Sequence, residues 1–261
     1  MNRANIDKIA QTPEDKLLLA KVWDKLQTGM QKNIPGYTCF LNLRELDMAR
    51  YLIGNYSGIY TFGGYEDAER KMLIYLPEYL DEDFLLGEDS PIACLRATFF
   101  KADTLSHRDF LGAMMGSGIA REAIGDICVT KGSCDFFVAK EIAPYLLQNF
   151  TGAGRTKLRL QQIPLSQAHI PEPETQQLRD TVASLRLDSI IASGFRVSRS
   201  LAGQYVQLGK AAIDGLPCEK PDRLVTEGAK ISVRGLGKIK LSTINGHTKK
   251  DRISVVIDRY V

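Results

Sequence analysis

Across residues 91–163 the chain alternates strand and helix signals in an order that few folds satisfy. An apolar run at 92–100 precedes a helical stretch that opens at Ser106 and reaches about Ser117. Two short strand signals, 126–130 and 134–139, flank a Lys131-Gly132 turn. A helix at 141–149, a break at Gly152-Ala153-Gly154 and an alternating strand through Lys157, Leu158, Arg159, Leu160 and Gln161 complete the stretch. Strand, helix, strand, strand, helix, strand is the order of a ferredoxin-like plait. Enzymes, metal carriers and RNA-recognition domains all use that architecture, so it predicts a fold and leaves function open.

The flanks predict two further parts. Over 1–89 a small α/β unit is expected: Thr12 caps a helix whose first turn suits Pro13, and Leu17, Leu18, Val22 and Leu26 recur at helical spacing until Ile34-Pro35-Gly36. Residues 40–53 read as helical in their second half, through Leu46, Ala49, Tyr51, Leu52 and Ile53. A short strand at 58–62, a helix at 65–71 and an apolar stretch at 72–76 closed by Pro77 follow. Residues 167–181 read as a linker, stiff and acidic at Pro171-Glu172-Pro173-Glu174. Beyond it, Leu187, Ile190 and Ile191 mark a short helix ended by Gly194. A second helix opens at Ser198, carries Leu201, Tyr205 and Leu208 on one face, and stops at Gly209. Asp214-Gly215 between 211–213 and 216–218 is the signature of a type I′ hairpin, and Ile231 and Val233 alternate in a later strand. The expected fold class is α+β, with an N-terminal α/β domain (1–89), a ferredoxin-like plait (90–166), a linker (167–181) and a module of two helices and a small sheet (182–261).

Charge is unevenly divided among these parts. Residues 182–261 hold 14 basic and 7 acidic side chains, a balance of +7, whereas 1–181 hold 20 basic and 24 acidic, a balance of −4. A locally positive surface attracts polyphosphate and steers its approach. No apolar run is long enough to span a membrane and the polar N-terminus lacks a signal-peptide core, so a soluble, cytoplasmic protein without membrane contacts is expected. Cys39, Cys94, Cys128, Cys134 and Cys218 are scattered without a C-x-x-C pair, and His107, His169 and His247 lie far from them in sequence. Neither disulfide framework, metal site nor cofactor is predicted.

Arg196 and Arg199 flank the start of the second helix of the basic module, where the helix dipole disfavours cations. An anion would hold them there: free backbone amides, the Ser198 and Ser200 hydroxyls and the guanidiniums make a phosphate cradle. The alternative is that they are solvated surface arginines. In the middle region, His107-Arg108-Asp109 is no kinase catalytic loop, because Met114 stands where the magnesium-binding asparagine is required. The glycine-rich run 112–118 lacks the Gly-Lys-Ser/Thr ending of a nucleotide loop, and its small residues read as close helix-to-sheet packing. Phe136 and Phe137 point to opposite faces of one strand, so at most one can stack on a base. His107, Arg108 and Arg121 are the better candidates there for an RNA contact.

Several separated pieces occur in the order of the S4 RNA-binding domain: Arg186-Leu187-Asp188, Ser198-Arg199-Ser200, Gln207-Leu208-Gly209-Lys210, Ile213-Asp214-Gly215, Lys220-Pro221 and Glu227-Gly228-Ala229-Lys230-Ile231-Ser232-Val233. Residues 185–240 resemble that family, with Gly228-Ala229 where Gly-Asp is usual and Asp214-Gly215 where Asn-Gly is usual. The resemblance implies that Arg186, Arg196, Ser198, Arg199, Ser200, Gln204, Lys210, Lys220, Arg234, Lys238 and Lys240 contact structured RNA. Arg186-Leu187-Asp188 also resembles the catalytic tripeptide of pseudouridine synthases, but no Thr-Ser-Gly-Leu follows it, and Asp188 is assigned a structural role.

Gly63-Gly64-Tyr65, Ala68-Glu69-Arg70, the run 104–112, Gly118-Ile119-Ala120-Arg121-Glu122 and Ile124-Gly125-Asp126-Ile127 together resemble the bacterial YlmH-type S4-domain proteins over essentially the whole chain. Members are encoded near cell-division genes in many Gram-positive bacteria and are related to a photosystem II S4 protein. The resemblance implies a non-catalytic RNA-binding protein. It would be monomeric when free and would meet large-subunit ribosomal RNA and peptidyl-tRNA on the ribosome, in quality control of stalled chains. The alternative is an RNA-modifying enzyme targeted by its S4 domain, centred near His107 and Asp109.

Overall fold

The N-terminal helices form where caps and apolar spacing direct them. A single turn, α1 (Ile6–Ile9), precedes α2 (Pro13–Lys32), at whose start the Thr12 hydroxyl accepts the Asp15 N–H and the Asp15 carboxylate accepts the Thr12 N–H. Asn33, in the left-handed region at φ 52°, stops it. Leu19, Val22 and Leu26 form its buried face, while Leu17 is exposed. After β1 (Gly36–Tyr37), Asn42 and Glu45 make a second capping box that opens α3 (Leu43–Ile53). Strands β2 (Ile59–Phe62) and β3 (Met72–Tyr75) complete a three-stranded sheet in the order β1-β3-β2. The structure, a computed structural model, describes residues 5–54, 56–171, 175–248 and 251–260.

The helix expected at 65–71 is absent. The Asp126 carboxylate takes the Glu69 and Arg70 N–H groups and the Tyr65 hydroxyl, so amides that a helix would use are pinned to a strand 56 or more residues away. Tertiary pairing overrides local propensity here.

In the middle region the six predicted elements occur in the predicted order: β4 (Ile92–Thr98), α4 (His107–Gly116), β5 (Ile124–Thr130), β6 (Ser133–Ala139), α5 (Ala143–Asn149) and, after a small hairpin of β7 (Gly152–Ala153) and β8 (Thr156–Lys157), β9 (Arg159–Ile163). The sheet runs β5-β6-β4-β9, with every neighbouring pair antiparallel. Its two faces are both covered. Phe136 on β6 packs into a core with Phe110 and Met114 of α4 and Leu146 of α5, whereas Phe137 packs on the other side with Phe40, Met72, Ile74 and Leu76 from the N-terminal region. Both rings are fully buried, so neither can stack on a base. The glycine run also differs from expectation: a Cβ at Gly112, Gly116 or Gly118 would meet nothing within 4 Å, so these residues serve no close packing. The chain divides into two compact units, Met1–Pro171 and Glu172–Val261, and the N-terminal sheet shares the first unit with the middle region.

Part of the expected linker is sheet. β10 (Thr175–Val182) pairs along its whole length with β15 (Ile253–Tyr260) and buries Leu178 and Val182; residues 172–174 of the Pro-Glu-Pro-Glu run lie outside the described residues. Helices α6 (Leu187–Phe195) and α7 (Arg199–Gln207), strands β11 (Ala211–Ile213) and β12 (Leu216–Pro217), then β13 (Lys230–Val233) and β14 (Gly237–His247) make up the rest of the unit. Its six-stranded sheet is ordered β10-β15-β14-β13-β11-β12. Asp214 and Gly215, at φ 48° and 81°, form the expected two-residue turn between Ile213 and Leu216. Gly194 lies inside α6, closely approached by Ile239 and Ile257; the helix ends on Arg196, at φ 54°. α7 buries Ala202 and Val206, and the expected face residues Leu201 and Leu208 are exposed. Among the described residues no helix is long and apolar enough to cross a membrane.

Candidate nucleic-acid interface

The C-terminal unit gathers two of its arginines around one carboxylate. Asp188, in the first turn of α6 and 6% exposed, accepts hydrogen bonds from Arg186 Nε and Nη2, both at 3.2 Å, and from Arg199 Nε at 3.1 Å and Nη2 at 3.4 Å. Burial alone would raise the Asp188 carboxyl, and the two guanidiniums outweigh it, leaving its pKa below the ordinary carboxylate value. Two guanidiniums on one carboxylate leave one positive charge. The arginine side chains keep 37% and 51% of their surface exposed, so each has donors left for a ligand. The agent expected to hold Arg199 against the helix dipole was a bound anion; it is the protein's own Asp188.

The other sequence-predicted groups lie along α7 and in the loops that adjoin α6 and α7. Ser198 caps α7 by accepting the Leu201 N–H, and Arg196, Ser198 and Ser200 are exposed beside it, with Gln204 exposed one turn on. The first amides of α6 are capped from the loop after β12: Leu187 N–H donates to the Arg223 carbonyl and Asp188 N–H to the Pro221 carbonyl. That brings the Lys220–Arg223 loop beside Arg186. Lys210 lies over the Tyr205 ring at 5.3 Å, and its carbonyl accepts the Arg234 N–H, which joins those two cations.

Lys238 and Lys240 do not belong with this group. Ile239 and Leu241 face the core that α6 and α7 cover, so alternation along β14 turns the two lysines to the opposite face of the sheet, beside Lys230 and Ser232 on β13. The sequence-predicted contacts therefore divide between the helix side and the outer sheet side.

In the first unit, the separated signature residues meet. Tyr65, Glu69 and Arg70 converge on Asp126, and the Arg70 guanidinium donates to the Ile124, Phe40 and Arg121 carbonyls. Arg121 Nη1 donates to the Ile124 carbonyl at 2.7 Å. Gly64, at φ +103°, and Gly125 leave no room for a Cβ: it would stand 2.2 Å from Phe137 at the first and 2.7 Å from Phe40 at the second. Sequence reading named Arg121 as a contact and passed over Arg70, Tyr65 and Asp126 as individuals; their place in the quoted motifs was the available signal. His107 and Arg108 open α4 and are exposed. Partial desolvation and the nearby Arg121 charge hold the His107 imidazole below its ordinary value, so at neutral pH it offers a neutral ring rather than a cation. Asp109, the carboxylate of the enzyme alternative, accepts both the Ser106 N–H and hydroxyl and serves as the cap of α4.

Residues 97–167 match the family model described as "Putative RNA-binding domain in YlmH". The chain is 34% identical to the "Ribosome-associated protein quality control protein P2" of Bacillus subtilis over 224 residues, covering 85% of this chain and 86% of that one. This chain belongs to the YlmH family. The "Cell division protein ylmH" structure from Streptococcus pneumoniae is similar in fold, with a TM-score of 0.51 and 18% identity, over 62% of this chain and 98% of that one. The matched stretch 97–167 runs from the end of β4 through α4, β5, β6 and α5 to β9.

Proposed function

We propose that this chain is a non-catalytic RNA-binding protein of the large ribosomal subunit. In this reading it contacts ribosomal RNA and peptidyl-tRNA during quality control of stalled nascent chains, and is cytoplasmic and monomeric when free. The C-terminal unit acts as the S4 domain and the middle region as a ferredoxin-like RNA-binding plait. The observation that carries the reading is the Arg186-Asp188-Arg199 cluster. A buried carboxylate fixes two half-exposed guanidiniums at the starts of two helices, which presents planar donors without the entropy cost of ordering them on binding. The name of the Bacillus subtilis relative supports the ribosomal setting. Arg196, Ser198, Ser200, Gln204, Lys210, Lys220 and Arg234 extend the helix-side surface, and Lys238 and Lys240 would serve a separate strand of RNA. In the middle region Arg108 and Arg121 are the proposed phosphate contacts. With both sheet faces buried, RNA is met at the helix starts rather than across the sheet.

Co-sedimentation with large subunits tests this. Arg186→Ala with Arg199→Ala is expected to release the protein while circular dichroism shows it folded; retention would overturn the assignment. Asp188→Asn is more discriminating. It raises the net charge by one yet frees both guanidiniums from their positions, so weaker binding at neutral pH supports a positioned contact. Tighter binding would mean that bulk charge alone is at work.

A further inference from the structure

One end of the four-stranded sheet in the middle region is open and basic. The ends of β4 and β5 and the starts of β6 and β9 meet there: Thr98 pairs with Ser133 on one side and with Arg159 on the other, and the Phe99 N–H donates to the Gly132 carbonyl. The segment that leaves β4 therefore emerges between the Lys131-Gly132 turn and the start of β9, a span of about 10 Å at ordinary strand spacing. Lys101 lies against that turn, since a Cβ at Gly132 would stand 2.7 Å from Lys101 Cγ. The hairpin of β7 and β8 brings Arg155 and Lys157 to the same end, because only Leu158 separates β8 from Arg159. Residues 98–103, 130–133 and 151–159 together hold five basic side chains and one acidic, Asp103.

Two properties set this end apart from an ordinary solvated surface. Lys101, Lys131, Arg155, Lys157 and Arg159 are all exposed, and none makes a side-chain hydrogen bond or ion pair among the described residues. Elsewhere in the unit Arg44 and Arg96 are bound to carboxylates, and Arg70 and Arg121 to carbonyls. Phe100 stands among the five cations with 73% of its surface exposed, the only exposed phenylalanine among the described residues. Its neighbour Phe99 turns inward, with its ring 6.0 Å from that of Phe110, and Phe100 is the ring left outside. Cations that no carboxylate has claimed attract a polyanion, and a bare aromatic face beside them adds stacking, which every base can accept. Charge alone would serve an acidic peptide equally; the ring favours nucleic acid. All six residues lie in the stretch 97–167 that matches the RNA-binding family model.

We infer that this sheet end binds unpaired RNA: Phe100 stacks on a base, while Lys101, Lys131, Arg159 and the hairpin cations hold phosphates on either side of it. The inference rests on the reading of the chain as an RNA-binding protein and adds residues that neither the helix-start contacts nor the C-terminal cluster include. Fluorescence anisotropy of a labelled octa-adenylate and of its abasic counterpart, with the full chain, tests it. Phe100→Ala, at an exposed loop position, is expected to weaken octa-adenylate by about fivefold or more, the worth of one base on an aromatic ring, and to leave the abasic strand unchanged; Phe100→Tyr is expected to retain binding. Lys131→Ala with Arg159→Ala is expected to weaken both strands and to reduce the log-log salt slope by about 1.4, two single-strand phosphates. Arg186→Ala with Arg199→Ala separates this surface from the C-terminal one. The Phe100 effect persists in that background even if the C-terminal arginines prove idle, and a loss caused by those arginines stands even if Phe100 proves idle. The inference is overturned by no binding of octa-adenylate at millimolar concentration, by unchanged affinity in Phe100→Ala, by equal weakening of the abasic strand in that variant, or by an unchanged salt slope in the lysine and arginine variant. Tighter binding of polyglutamate than of octa-adenylate would give the surface to an acidic polypeptide and overturn it equally.

Discussion

Gly64 and Gly112 look alike in the sequence, each a glycine within a family-like motif, and the structure gives them opposite roles. Gly64 has a backbone that side chains rarely adopt and a Phe137 ring where its Cβ would be; Gly112 faces open space in the middle of α4. Gly64→Ala is therefore expected to destabilise the first unit by at least ~2 kcal/mol in urea unfolding, from overpacking and backbone strain together. Gly112→Ala should be neutral or stabilising by up to ~1 kcal/mol, since it improves helix propensity. Equal effects at the two positions would contradict the assigned geometry. Asp188 gives a pH dependence at the same scale. Its folded pKa lies below the unfolded value, so the folded state favours the ionised form. The resulting stability is complete above the unfolded carboxyl pKa of about 4 and is lost as pH falls through the folded value. Asp15, held down by its hydrogen bonds from Arg44, behaves likewise in the first unit. Asp188→Asn should thus flatten the acid sensitivity of amide exchange in α6 and leave the acid transition of Trp23 fluorescence, in α2, unchanged. A shift of both, or of neither, would break the assignment of that sensitivity to the ion cluster.

Elements were legible where their signals were local. Thr12 and Pro13, the Asp214-Gly215 turn and the strand-helix alternation of the middle region all depend on neighbours within a few residues, and each produced the element expected. The misreadings share a cause in long-range pairing. Residues 65–71 gave up a helix to bond Asp126, and Thr175–Val182 gave up the look of a strand because only Leu178 and Val182 face the core along β10. Its partner, β15, lies over 70 residues further on, beyond any periodicity window. The candidate site was legible in residue identity, through Arg186, Asp188 and Arg199, but not in its division between two faces, which depends on which side of β14 the helices cover. The strand β10 carries a direct test. A fragment of residues 175–261 should unfold cooperatively, whereas one of 183–261 should lose that cooperativity, since it leaves β15 with an unpaired edge and the core without Leu178 and Val182. Equal cooperativity would show that β10 is dispensable to the unit.

At the scale of the molecule, the two units differ in sign, and that difference predicts how binding should respond to salt. Cations that neutralise phosphates release condensed counterions, so affinity falls with salt in proportion to the number of contacts and not to net charge. About six helix-side cations of the C-terminal unit meeting phosphates would give a log-log slope near −4 to −5, with the single-strand and duplex coefficients as its limits. The acidic character of residues 1–89 adds repulsion that is screened over roughly the same salt range, which slightly flattens the slope of the whole chain relative to the isolated C-terminal unit. Titration of a fluorescent ribosomal RNA fragment at several salt concentrations, with the full chain and with residues 175–261, measures both quantities. A slope near zero for either protein would remove the phosphate contacts from the C-terminal unit. A full-chain slope steeper by about two would place roughly two to three further phosphate contacts in the first unit, and would make Arg108 and Arg121 principal anchors of the RNA rather than accessory ones.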